Sequence, residues 1–211
     1  MIDALPTPQR LALSYATPRS RPATLALLAL DARLAAVLRG RHEPIATQLR
    51  LAWWREMLAR PPGEWPRGEP QLEALREWRE PAALAALPSA WEALLADRLG
   101  PDAIAEFVDG RGQAFAALAR ELGVEAVDDA AAAARIWALA DLAANVSDGA
   151  ERGLVVEYGR GLGAPPRLSA SLRPLAVLAA LGAAALARGG GDLLGGPASA
   201  FHALRTGLTG R

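Results

Sequence analysis

Proline opens and glycine closes nearly every apolar segment of this 211-residue chain, and that punctuation constrains the fold more than any motif does. Pro22, Pro44, Pro70, Pro101 and Pro197 stand where a first helical turn, whose N–H groups lack an intrahelical acceptor anyway, tolerates an imino acid. Gly40, Gly100, Gly123 and Gly189 stand where helices stop. Between these marks Ala, Leu, Arg and Glu dominate, residues that lose little on entering a helix. The pattern predicts helices over 22–39, 45–60, 70–79, 89–98, 102–122, 127–147, 169–187 and 198–207. The one β-like run, Val155-Val156-Glu157-Tyr158, has no second strand to pair with and reads as helix or loop. The Pro-rich stretch at 61–68 is a loop rather than a linker, because the apolar helices on either side need each other for burial. No internal repeat is visible. The expectation is a single all-α domain over 1–211.

Composition narrows the function classes. Hydrophobic residues make up 52% of the chain, and 23 basic side chains, all arginine, balance 23 acidic ones. That neutrality gives no electrostatic reason for a nucleic-acid partner. The absence of cysteine excludes disulfides, thiolate metal sites and cysteine nucleophiles. Only His42 and His202 offer imidazole, too few for a zinc site. Residues 1–10 hold no apolar run of the kind a secretory signal needs. The longest charge-free run, fourteen residues from Pro174, is short for a bilayer and reads as a core helix. A cytoplasmic location follows as the expectation. Gly159-Arg160-Gly161-Leu162-Gly163 lacks the preceding strand of a dinucleotide-binding loop.

Two segments invite closer reading. In 45–60, Ile45, Leu49, Trp53 and Met57 form one i, i+4 row and Leu51, Trp54 and Leu58 a second. Two apolar faces predict a helix wedged between neighbours, packed antiparallel against 22–39 at the centre, with Trp53 largely buried. The tandem tryptophans read first as core, with ligand lining as the alternative, and Arg50 is spaced to lie on Trp54. In 102–122, Arg111 shares the apolar stripe of Ile104, Val108, Phe115, Leu118 and Leu122. Gly110 and Gly112 flank it, so a kink or a close backbone approach is expected there. If buried, Arg111 needs an acidic partner or an anionic ligand; solvation at a local break is the plainer alternative.

The run Leu27 to Val37, followed by Arg50-Leu51-Ala52-Trp53-Trp54-Arg55, resembles the first two core helices of the squalene/phytoene synthase family. The resemblance implies an isoprenoid (terpenoid) synthase type of helical bundle, shortened at the C-terminus. Active members join two allylic diphosphates, which magnesium ions held by two aspartate motifs bind and ionise; magnesium demands oxygen ligands. Laid on this chain, the first motif puts Ala35, Ala36 and Arg39 at the metal positions. The second falls on Asp141, Leu142, Ala144, Ser147, Asp148 and Arg152, where only Asp148 keeps a metal-position acid, and Glu151 stands three residues on instead of four. The same losses mark a non-catalytic branch, the phytoene-synthase-like assembly factors of respiratory complex I, which the chain is similar to at Ala29, Arg33, Leu34, Ala35, Val37, Arg50, Trp54 and Arg55.

The resemblance therefore implies a pseudoenzyme that serves as an assembly or binding factor, with no catalytic residues, no metal and no cofactor. Its implied partners are complex I subunits or assembly intermediates, with peripheral contact at the inner membrane. Arg39, Arg50, Trp54, Asp141, Asp148, Glu151 and Arg152 are the candidate ligand-binding residues of a degenerate cavity. Arg39 and Arg152 would face each other across it, closed by Asp148 and Glu151, or else open to an anionic group. Two alternatives share the fold. One is an active transferase whose magnesium sits on Asp31, Asp141, Asp148 and Glu151, although lone acids such as Asp31 and Asp141 more often pair with arginine. The other is an isoprenoid or lipid carrier. Asp128 and Asp129, adjacent and so turned apart, read as acids opposing a helix dipole rather than as a metal pair.

Overall fold

A computed structural model of the chain describes residues 1–40 and 43–196, with 201, 203, 205–207 and 209; among them there is helix and no strand. The helices are α1 (Thr7–Leu13), α2 (Arg21–Arg39), α3 (Pro44–Ala59), α4 (Pro70–Leu75), α5 (Ala86–Glu92), α6 (Pro101–Glu121), α7 (Val127–Asn145), α8 (Gly149–Arg160) and α9 (Arg173–Ala187). Proline occupies the first turn of α2, α3, α4 and α6, as the punctuation predicts; Pro174, not among the expected starts, opens α9, and Pro197 lies outside the described residues. Two helices go beyond the sequence reading. α1 is a short helix in a stretch that carries two prolines, and α8 converts the β-like run into helix, with Val155 and Val156 on its buried face. The expected 70–79 and 89–98 segments shorten to α4 and α5, the latter extended by a 3₁₀ turn, Ala93–Leu95. Of the segment expected at 198–207, residues 201, 203 and 205–207 are helical, and the rest lie outside the described residues.

The centre belongs to α7, flanked by α6 and α9, and not to the expected pairing of 22–39 with 45–60. Small side chains decide this. Ala130, Ala133, Ala134, Ala138, Ala140 and Ala143 are buried along α7 and let neighbouring backbones come close. A Cβ on Gly182 of α9 would stand 3.1 Å from the Ala140 Cβ and 3.2 Å from the Trp137 Cα. At Gly110 the approach is tighter, where an added Cβ would meet the Ala90 Cβ of α5 at 2.4 Å. α6 runs unbroken through its two glycines, so their role is the close approach and not a kink. Asp128 and Asp129 lie in the first turn of α7, where they oppose the helix dipole.

α3 departs from its two-faced reading. Leu51, Trp54, Met57 and Leu58 are buried, but Ile45 and Leu49 are 74% and 66% exposed, and Trp53, expected in the core, is half-buried. The reason is length. α3 rests mainly on α5, whose 7 residues cannot cover 16. Trp53 instead packs edge-on against Trp54, with ring centroids 5.0 Å apart.

The apolar stretch Ala170–Ala187, a 3₁₀ turn continued by α9, is long and apolar enough to cross a membrane by length and composition alone. The charge-free count of fourteen residues understates it. Most of this stretch is buried within the protein, with Leu175, Val177, Leu178 and Leu181 in the core.

Candidate functional site

The floor of the site is a buried arginine. α6 carries Arg111 into the interior, where no part of it is exposed, and three rings surround it. Its guanidinium carbon lies 4.0 Å from the Trp137 ring centroid, 5.2 Å from that of Phe107 and 5.3 Å from that of Trp91. A charge in such a place requires compensation. It comes from the two helices on either side: Arg111 Nη2 donates to Asp31 Oδ2 on α2 at 2.5 Å, and Nη1 donates to Asp141 Oδ2 on α7 at 2.9 Å. Trp91 Nε1 donates to the other Asp31 oxygen at 3.0 Å. Burial raises the Asp31 carboxyl above the usual carboxylate range, against the pull of Arg111. Burial works against the Arg111 charge as well, but the two carboxylates override it and hold the guanidinium protonated. Of the two sequence alternatives for Arg111, the paired and buried one is realised.

Above this floor lies a cleft of about 720 Å³ between α2, α7, the turn after α5 and the segment around Asp192. Asp31, Ala35 and Arg39 line it from α2, and Asp141, Ala144 and Asn145 from α7. Leu38, Leu94, Leu99, Leu142 and Val146 supply apolar wall. Arg39, Asp141 and Glu151 are thus brought to one cleft, whereas Arg50, Trp54, Asp148 and Arg152 are not on its lining. Arg50 is exposed and makes no ring contact among the described residues, so the expected stacking on Trp54 does not form. Trp54 is core.

The closed cluster of Arg39, Arg152, Asp148 and Glu151 does not form either, because α7 ends at Asn145 and not at 147. After that break Asp148 becomes the N-cap of α8, its Oδ1 accepting from the N–H groups of Ala150 and Glu151 at 2.9 Å each. Arg152 turns back, donating Nε to the Ala143 carbonyl at 3.2 Å and Nη2 to the Val146 carbonyl at 2.7 Å, and so satisfies the open end of α7. Glu151 Oε1 accepts from the Leu99 N–H at 3.0 Å. Arg39 is exposed and has no ion-pair partner among the described residues.

These side chains do not fit a magnesium cluster. Asp31 and Asp141 are committed to Arg111, Asp148 to a helix end, and no three His, Asp or Glu side chains converge on a common point among the described residues. Sequence reasoning missed Gln9, Trp91, Asp97 and Asp192 on the lining. Trp91 sits sixty positions from the aspartate that it serves, and no local pattern announces such a contact. No protein-family model, curated protein or solved structure matches the chain.

Proposed function

We propose that the chain is a catalytically degenerate protein of squalene/phytoene synthase type that works as a binding or assembly factor. The observation that carries the proposal is the cleft between α2 and α7, the two helices that bear the motif-like segments. Its lining has Ala35 and Arg39 at positions where the family places metal-binding aspartates, and Arg111 ties down the two acids deepest in it. A transferase needs carboxylates free to hold several divalent ions around a leaving diphosphate. Here the cleft offers shape, apolar wall and hydrogen-bonding groups without that apparatus. Its volume lies in the range of small-molecule sites.

On this reading the partners are subunits or assembly intermediates of respiratory complex I, met in the cytoplasm at the inner-membrane surface. Deletion of the gene in its host tests that role: membranes should lose NADH:quinone oxidoreductase activity, and wild-type levels would contradict it. The apolar wall of Leu38, Leu94, Leu99 and Leu142 favours a second reading, an isoprenoid or lipid carrier. Incubation with labelled farnesyl or geranylgeranyl diphosphate and magnesium should yield no head-to-head product on either reading; a reproducible product would overturn both.

A further inference from the structure

Exposed large apolar side chains are few among the described residues, and two of them, Ile45 and Leu49, stand one turn apart on α3. Half-buried Trp53 carries their i, i+4 row into a third turn, so the row is about 12 Å long. Scattered apolar side chains are normal at a protein surface, whereas a continuous row rimmed by polar groups marks an interaction site. Charge frames this one. From Pro44 to Trp54 the sole charged side chain is Arg50. It flanks the row beside Trp53, is exposed, and has no ion-pair partner among the described residues. On the other flank Arg55 reaches Glu92, and the Arg60–Glu56 pair closes the row at its C-terminal end. Residues 39–60 carry five arginines against two glutamates in a chain of zero net charge.

We propose that the outward face of α3 docks the chain reversibly on an anionic lipid surface. Ile45 and Leu49 enter the acyl boundary, the Trp53 ring sits at the interface, and Arg50 meets lipid phosphates. The basic excess of the segment is what selects an anionic surface over a neutral one. A second copy of the chain is the poorer occupant. A stable dimer needs about 800 Å² from each partner, more than one row of three side chains supplies. Self-pairing would also set one basic segment against another. The proposal stands on α3 alone and does not rest on the family reading.

Co-sedimentation of the full chain with vesicles of equal parts phosphatidylglycerol and phosphatidylcholine tests the proposal. Binding is expected, about tenfold or more stronger than to phosphatidylcholine alone, and falling as salt rises. Leu49→Glu and Arg50→Glu should each weaken it about tenfold or more. Leu154→Glu, which adds the same charge at an exposed leucine of α8, should leave it unchanged. Lipids brominated on their acyl chains should quench the wild-type fluorescence more than that of Trp53→Phe. All the charged variants alter exposed positions, and circular dichroism melts separate lost binding from lost fold. No binding to the anionic vesicles, or binding that folded Leu49→Glu retains, would overturn the proposal. So would a dimer in sedimentation velocity that Leu49→Glu dissolves while vesicles stay unbound, which gives the face to a second copy. Each of these results leaves the reading of the cleft standing, because no residue of α3 lines it.

Discussion

Arg111 joins α2, α6 and α7 through one buried charge. Its positive charge is held inside by two aspartates and three ring faces, and it engages one carboxylate oxygen of each aspartate. Replacing Arg111 by alanine leaves Asp31, 1% exposed, without its counter-charge and should cost about 3–5 kcal/mol in urea titration. A loss under about 1 kcal/mol would mean that water reaches the pair. The tandem tryptophans make a second test. Trp54→Ala should cost about 3–5 kcal/mol and Trp53→Ala clearly less, because only Trp54 fills core space. Equal losses would contradict the placement of α3. The order of the two was not legible in the sequence: both rows of 45–60 are apolar, and burial was decided by how far α5 reaches. Arg111 was half legible. Its place on an apolar stripe marked it as a residue in need of a partner, but the partners come from helices eighty and thirty positions away.

At the scale of elements, both boundaries of α2, α3 and α6 fall within a residue of expectation, while α4, α5 and α7 stop early. Proline fixes the first turn of a helix by its own geometry, so the starts of α2, α3, α4 and α6 fall within a residue of expectation. Ends depend on what caps them. α7 stops two residues early because Arg152 reaches back to its last carbonyls while Asp148 begins α8, a reciprocal arrangement invisible in local composition. That break is also what separates Asp148 and Arg152 from the cleft. The glycines of α6 were legible as a kink or a close approach; the structure has the close approach, of Gly110 to α5 and of Gly112 to Ala131 and Arg135 of α7. Gly110→Val should therefore push α5 from α6 and lower stability by about 1–3 kcal/mol or more, read as a fall in the urea midpoint. A neutral effect would show that Ala90 can yield, and the tight crossing of the two helices would be wrong.

Over the whole molecule, sequence reasoning reached the all-α class, because Ala/Leu-rich segments between proline and glycine permit little else. It misplaced the centre. Ala-rich α7 is weakly amphipathic to the eye yet buried on most sides, and only packing against α6 and α9 reveals it as the core. The central claim is that the cleft binds without metal. Titration of a non-hydrolysable farnesyl diphosphate analogue, with and without magnesium, tests it most directly, since a synthase grips the diphosphate through its ions. The account predicts no magnesium-dependent gain in affinity; tight analogue binding that requires magnesium and is lost in Asp141→Asn would contradict it.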